Sequence, residues 1–322
     1  MKEKQYDVVA LGELLIDFTE NGISSQGNPI YEANPGGAPC NVLAMLNKLG
    51  HKTAFVGKVG VDIFGTRLKG ILDQVGIDTR GLVMDPDHRT TLAFVETLPG
   101  GDRDFSFYRN PGADMMLTAE ELQEEMFGQC RIFHFGTLSM THDRVREATK
   151  RAIALAEESG SLISFDPNLR PPLWSSLEEA KKQVDYGLRH CQILKISDNE
   201  IQWFTGKEDF DEGIQVLKEN YQIPLILLSM GKEGSRAYYQ DLRVEKAPYL
   251  QKNTIETTGA GDTFGGSCLH FVLKYGLEGL DQEKLEQMLS FANAAASIIT
   301  TRKGALRVMP EEKEVKELME NS

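Results

Sequence analysis

The stretch Glu256-Thr-Thr-Gly-Ala-Gly-Asp-Thr-Phe-Gly-Gly266 leads straight into an apolar helical run over residues 267–275. Gly259, Ala260 and Gly261 at a helix start leave backbone N–H groups uncovered, with the positive end of the helix dipole behind them, and that pairing stabilises phosphate oxygens. Asp262 follows in the first helical turn, beside this anion site, where a carboxylate can accept the proton of an attacking hydroxyl. A plain structural reading covers the same residues: a first-turn Asp is favoured by the dipole in any protein, and Gly-x-Gly before a helix is common.

A second cluster, Pro35-Gly-Gly-Ala-Pro-Cys-Asn41, opens another helix. Gly36 and Gly37 let a ligand come close to the backbone, and Asn41 can both donate and accept, as sugar hydroxyls require. A turn with a Pro-rich helix entry would read the same. Glu13 and Asp17 stand where the first strand ends; two carboxylates there suit adjacent hydroxyls of a polyol, and exposed loop acids would look no different. Three further clusters fall at expected strand ends, where open α/β sheets bind ligands: Asp166-Pro-Asn168-Leu-Arg170, Lys195 to Glu200, and Ser229-Met-Gly231-Lys-Glu-Gly234. Glu200 can act on Mg2+ through water, while Ser197-x-x-Glu200 is equally a capping box. Gly-x-x-x-x-Gly-Lys-Ser/Thr occurs nowhere, and Phe264 stands where a dinucleotide fingerprint needs Gly, so both standard nucleotide loops are absent, and if the chain binds ATP it does so in another way.

These residues need a scaffold, and short β-rich runs alternating with helical periods predict βαβ units around a mainly parallel sheet. Strands are expected over residues 6–11, 53–56, 131–135, 162–165, 192–196 and 225–229. Helices are expected over 38–49, ending at Gly50, and over 63–75, capped by Asp62 and stopped by Gly76, with others near 143–159, 176–189 and 209–219. Thr118-x-x-Glu121 and Ser176-x-x-Glu179 read as capping boxes opening two helices. Residues 90–108 break the rhythm: alternating runs at 91–97 and 104–108 flank Leu98-Pro-Gly-Gly-Asp-Arg103, the signature of an antiparallel hairpin. We read it as a lid partnered by the 15–31 region. The expected architecture is one domain over residues 1–322, with a lid made from segments about 13–35 and 90–110.

Composition narrows the function classes. The 322 residues hold 35 Lys+Arg against 48 Asp+Glu, a net charge of −13, which repels nucleic acid and anionic lipid. The longest apolar run, near residues 223–230, is far below the roughly 20 residues of a membrane span, and charged residues dilute the N-terminus too heavily for a signal peptide. A cytoplasmic protein is expected. Cys40, Cys130, Cys191 and Cys268 show no Cys-x-x-Cys or metal-like spacing.

Taken together, the motifs resemble the ribokinase-like (PfkB) carbohydrate kinases over essentially the whole chain. Gly36-Gly37-Ala38-Pro39-x-Asn41, Leu49-Gly50 and Val56-Gly57-Lys58-Val59-Gly60 resemble the family's N-terminal signature, and Thr257-Thr258-Gly259-Ala260-Gly261-Asp262 its C-terminal one. Phe105-Ser-Phe-Tyr-Arg-Asn-Pro-Gly-Ala-Asp114, Phe133-His-Phe-Gly136, Phe165-Asp-Pro-Asn-Leu-Arg170 and Lys195-Ile-Ser resemble its fructokinases in particular.

The resemblance implies a three-layer α/β/α fold with a mainly parallel central sheet and a small β-rich lid. It also implies ATP-dependent phosphorylation of the primary hydroxyl of fructose, giving fructose 6-phosphate, with Mg2+ accompanying ATP. Asp262 would be the base and the N–H groups of Gly259, Ala260 and Gly261 the cradle for the γ-phosphoryl group. Asp17, Gly36, Gly37 and Asn41 match sugar-contacting positions, with Arg109, Asn168 and Arg170 as neighbours. Lys195, Glu200, Ser229, Gly231, Gly234 and Asn293 match positions near the nucleotide or its Mg2+. Many relatives also bind K+ beside the anion hole, which carried over points to Glu256, Thr258, Ile299, Arg302 and Gly304, largely through carbonyls. The chain departs from the pattern at Glu256, where Asp is usual, at Leu43, where a small residue is usual, and at Ser197 in place of Asn. Homodimers joined through the lid are common among relatives. Rival readings are a kinase for 2-keto-3-deoxygluconate or ribose, with Tyr108 and Arg109 reading a carboxylate, and a non-catalytic sugar-binding regulator on the same scaffold.

Overall fold

The computed structural model describes residues 4–97 and 103–321. The first half of the chain forms β1 (Tyr6–Leu11), β2 (Leu15–Ile23), β3 (Pro29–Gly36), α1 (Ala38–Lys48), β4 (Thr53–Gly60), α2 (Ile63–Gln74), β5 (Asp78–Asp85), β6 (Leu92–Thr97) and β7 (Arg103–Tyr108). Then come α3 (Glu124–Gly128), β8 (Cys130–Gly136), α4 (Asp143–Glu158), β9 (Leu162–Asp166), α5 (Leu177–His190), β10 (Ile193–Ser197), α6 (Asp198–Thr205) and α7 (Phe210–Asn220). The last part forms β11 (Leu225–Ser229), β12 (Ser235–Tyr239), β13 (Leu242–Lys246), α8 (Ala260–Tyr275), α9 (Gln282–Ile299) and α10 (Glu312–Glu320).

Among the described residues a nine-stranded sheet runs β13-β12-β11-β10-β9-β8-β1-β4-β5. It is parallel from β5 to β11, and only β12 and β13 pair antiparallel. Strands this apolar are stable because both faces are covered. Val8 and Ala10 point into a core shared with α1, α2, α8, α9 and α10, while Val9 and Leu11 point into the opposite core under α3 to α7. The result is the expected three layers. The chain leaves β1 toward β4 on one side and later fills β8 to β11 on the other, so β1 is the switch point of the sheet. Open α/β sheets bind ligands in the crevice outside such a point.

Local signals explain the element ends. Asp62 caps α2 by accepting from the Phe64 and Gly65 N–H groups, and Gly76 past its end has φ 83°. Ser176 accepts from the Glu179 N–H at the start of α5, but the Glu179 carboxylate turns to Gln183 and Arg146, leaving half a capping box. The Thr118 box forms, with Glu121 accepting from the Thr118 N–H and from Lys58, but it opens only a three-residue 3-10 turn, after which the chain is extended at the buried Leu122. The hairpin β12–β13, unanticipated from sequence, extends the sheet past β11.

A second sheet, β3-β2-β6-β7, is the lid. Phe18 pairs with Phe94 across the parallel β2–β6 contact, and Phe94 with Ser106 across the antiparallel β6–β7 pair. The turn expected to join β6 and β7 lies outside the described residues. Alternation gives this sheet two distinct faces. Leu15, Asp17, Asn34 and Phe107 face inward, whereas Phe18, Tyr31, Phe94 and Tyr108 stack on the outer side.

Candidate active site

A cavity of about 310 Å³ opens beneath the lid, around the carboxyl ends of β1, β8, β9 and β10. Two helix N-termini point at it. Gly37 begins α1 with φ 134°, and a Cβ there would overlap the Glu13 carbonyl, so only glycine allows this close approach. Gly259 begins α8 in the left-handed region at φ 75°, with a hypothetical Cβ only 2.5 Å from the Ala305 methyl.

Asp262 sits in the first turn of α8, 8% exposed, on the cavity wall. Asn41 Nδ2 donates to its Oδ2 at 2.8 Å, and Asn41 Oδ1 is buried without a partner among the described residues. Burial raises the Asp262 pKa, opposed by the Asn41 hydrogen bond and by the charges of Lys195 and Arg170. Asp262 is therefore a stronger base than a solvated Asp, held in one orientation from the other half of the chain. Of the anion-hole glycines and alanine, Gly259 and Gly261 line the cavity; the Ala260 N–H turns back to the Thr257 carbonyl at 3.2 Å.

Lys195, expected near the nucleotide, lies in this same cavity. Its ammonium is 3.2 Å from where a Cβ on Gly261 would be, and 3.1 Å from Asp166 Oδ2. Burial alone would depress it, but Asp166, Glu200 and Asp262 outweigh burial, so it stays charged beside the α8 N-terminus. The acids take up the protons instead: burial pushes Asp166 up to about 7, against the pull of Lys195. Asn168 and Arg170 complete this wall, and Asn168 adopts φ 42°, with its N–H on Asp166 Oδ1.

On the facing wall stand Asp17, Gly37 and Asn41, together with Glu13, whose Oε1 accepts from the Ala38 N–H. Burial pushes the Glu13 carboxyl up to about 7. Gly36 packs against the Asp17 carboxylate, leaving no room for a side chain. Sequence reasoning missed Leu15, Phe107, Leu138 and Thr257 in this lining. The inward alternation of the lid strands was the available signal for Leu15 and Phe107.

Apart from Thr258, which also lines this cavity, the other expected residues lie elsewhere. Arg109 stands behind the cavity wall, its guanidinium bonded to Asp114, Thr141 Oγ1 and the carbonyl of the cavity-lining Leu138. Tyr108 packs edge-to-face against Phe94 on the outer side of the lid. Glu200 forms the capping box, with Oε2 accepting from the Ser197 N–H and Oγ and Oε1 from the Leu169 N–H, stitching α6 to the Asp166–Arg170 loop. Ser229, Gly231 and Gly234 mark the β11–β12 turn, where Asn293 accepts from Ser235 Oγ and donates to the Lys246 and Ala247 carbonyls. Glu256, Thr258 and Gly304 line a small void with Asp17, Asn34 and Asn41, and Glu256 Oε1 accepts from the Gly304 N–H. Ile299 and Arg302 lie outside that void; the Ile299 carbonyl accepts from the Arg302 N–H, and Arg302 reaches Glu314. Among the described residues no group of three or more His, Cys, Asp or Glu side chains is placed to hold a metal ion.

Comparison with known proteins places this geometry in context. The model of the pfkB family carbohydrate kinases matches residues 5–312. Fructokinase-1 of Zea mays is 40% identical over 98% of this chain and 98% of its own. The fructokinase of Xylella fastidiosa, solved with bound ATP, superposes with a TM-score of 0.89 at 29% identity, covering 98% of this chain and 99% of that one. A double mutant of the Vibrio cholerae O395 fructokinase, solved with fructose, ADP and potassium, gives a TM-score of 0.88 at 29% identity, covering 99% and 100%.

Proposed function

The chain belongs to the pfkB family of carbohydrate kinases, and within that family we propose that it is an ATP-dependent fructokinase, forming fructose 6-phosphate and ADP. The observation that carries this reading is Asp262: a buried carboxylate with a raised pKa, oriented by Asn41, at the mouth of a helix N-terminus and inside a cavity lined by sugar-like partners. Asp262 accepts the proton as the sugar hydroxyl attacks the γ-phosphorus in line, with no covalent enzyme intermediate. The α8 N-terminus with Gly259 and Gly261, joined by the Lys195 ammonium, offsets the negative charge that gathers on the transferred group. The lid closes over the cavity with Leu15, Asp17 and Phe107, excluding the water that would compete with the sugar.

A neutral sugar fits the lining. Asp17, Asn41 and Asn168 offer acceptors and donors for hydroxyls, and the unpartnered Asn41 Oδ1 awaits a donor. Arg109, the lid cation that could read the carboxylate of a sugar acid, is already paired with Asp114. Fructose is therefore favoured over the sugar acid, and an intact base over a non-catalytic regulator.

We place the nucleotide toward the Ser229–Gly234 turn and Asn293, on the far side of Gly259–Gly261 from the sugar. Mg2+ would arrive with the ATP phosphates and screen their charge, with Glu200 reaching it through water. A K+ ion would sit beside Glu256, Thr258 and Gly304. Residues 1–322 would act as one cytoplasmic catalytic unit, and no helix among the described residues is long and apolar enough to cross a membrane. The outer lid face, with Tyr31 43% and Tyr108 67% exposed beside Phe94, would join two copies in a homodimer, which analytical ultracentrifugation of Tyr108→Asp tests. The decisive experiment is NMR of the product made from fructose and ATP: phosphorus coupled to C6 supports the reading, and coupling to another carbon or no product overturns it.

A further inference from the structure

We propose that Arg109 is a positioning residue that locks the lid in register with the sugar cavity, and is not a ligand of the sugar. The proposal rests on the kinase reading above. Arg109 follows β7 and so forms one foot of the lid hairpin; Thr91, just before β6, forms the other. Asp114 joins the two feet, taking the Thr91 hydroxyl on Oδ1 and the Arg109 Nε on Oδ2 at 2.8 Å. The opposite edge of the guanidinium reaches Thr141 Oγ1 at 2.9 Å and the Leu138 carbonyl at 3.0 Å, in the segment after β8.

Leu138 and Phe107 both line the sugar cavity, one in the segment after β8 and one on the lid, so Arg109 bridges the body to the lid. The bridge is dry, with the Arg109 and Asp114 side chains each 2% exposed. Space around it is as tight as the bonding: a Cβ on Gly112 would overlap Thr91 Oγ1 and lie 2.7 Å from Asp114 Oδ1. A buried pair of this kind contributes little net stability, but removing one partner strands the other charge, so such pairs hold one geometry well. Every donor of the guanidinium that reaches the body or the feet is occupied, so its chemistry is that of a clamp.

Three variants weaken the clamp by degrees: Thr91→Val, Asp114→Asn and Arg109→Lys. Each is expected to raise the KM for fructose by about tenfold, as loss of a charge-assisted bond would, while kcat and the KM for ATP stay within about threefold. ATP hydrolysis without sugar should rise relative to sugar phosphorylation, because a loose lid admits water; a purely structural role would lower all rates together. A direct ligand is separated by analogues. With a clamp, the KM penalty is the same for fructose, 1-deoxyfructose and 2,5-anhydromannitol, whereas a hydroxyl ligand loses its penalty on the analogue lacking that hydroxyl. An unchanged fructose KM in the folded variants, by circular dichroism and melting, or a penalty that depends on one hydroxyl, overturns the proposal. Thr91→Val changes no charge or volume and keeps the test open if the other two fail to fold. If the wild type prefers another sugar, the same ratios are read with that sugar, and the kinase reading and the clamp fail separately.

Discussion

Asn41 Nδ2 donates to Asp262 Oδ2 across 2.8 Å of space and 221 positions of sequence, tying the start of α1 to the start of α8. Asp262, the proposed base, is thus oriented by the half of the chain that also supplies the proposed sugar wall. Asp262→Asn keeps the shape and replaces the proton acceptor with an amide. It should lower kcat on the order of a thousandfold while calorimetry finds fructose and ATP bound nearly as before. Turnover close to wild type, in an ADP-coupled assay, would remove Asp262 from the role.

Lys195 holds down the pKa of a base that burial raises. The active form is the ionised one, so activity is lost as pH falls through the raised Asp262 value. Lys195→Met removes the opposing charge and leaves the burial. The acid limb of log kcat/KM should then move to higher pH, alongside a lower plateau. A lower plateau with an unmoved limb would mean that Lys195 acts on the phosphoryl group alone.

Gly36 has no room for a methyl group, because a Cβ would overlap Asp17 Oδ2. Gly36→Ala should push Asp17 off its position and raise the KM for fructose on the order of tenfold or more. Gly265→Ala, in α8, is the control: nothing lies within 4 Å of its Cβ position, and it should leave KM alone while stabilising the helix by up to about 1 kcal/mol. Equal KM values in the two variants would contradict this placement of Asp17.

Glu13 carries a pH-dependent cost. Its carboxyl is pushed from 4.5 up to about 7 by burial, so the folded chain keeps a proton that the unfolded chain releases as pH rises through that window. Stability contributed by the protonated group is complete below about pH 4.5 and is lost by about pH 7, at most about 3 kcal/mol. Glu13→Gln keeps an oxygen for the Ala38 N–H and has no proton to lose. Its melting temperature should match the wild type at pH 5 and exceed it at pH 8. A gap that does not change with pH would show that Glu13 is ionised throughout.

Much of this site was legible before the fold. Gly259, Gly261 and Asp262 announce themselves because a helix N-terminus is a local structure, fixed by a few adjacent residues whose backbone freedom and dipole do the chemistry. The lid followed from alternation in two short runs, whereas the switch point at β1 is a matter of strand order, which only the fold shows. The capping box at Ser197 was visible for the same local reason. The Thr118 box also forms, with Glu121 accepting from the Thr118 N–H, but it opens only a three-residue turn, a length that the local signal does not set.

Arg109 and Lys195 show what local reading leaves open. Each is a cation at a strand end in a kinase-like chain, and the sequence assigns neither a direction. The sequence by itself determined which groups the protein has, the two glycine-rich helix starts, and the parallel sheet that brings them to one edge. Only the tertiary structure decided how the charges pair. Lys195 pairs with Asp166 inside the cavity, and Arg109 with Asp114 outside it. Side-chain pairing between distant elements depends on which surfaces the packed core brings within about 3 Å, where the energy of a buried charge is decided.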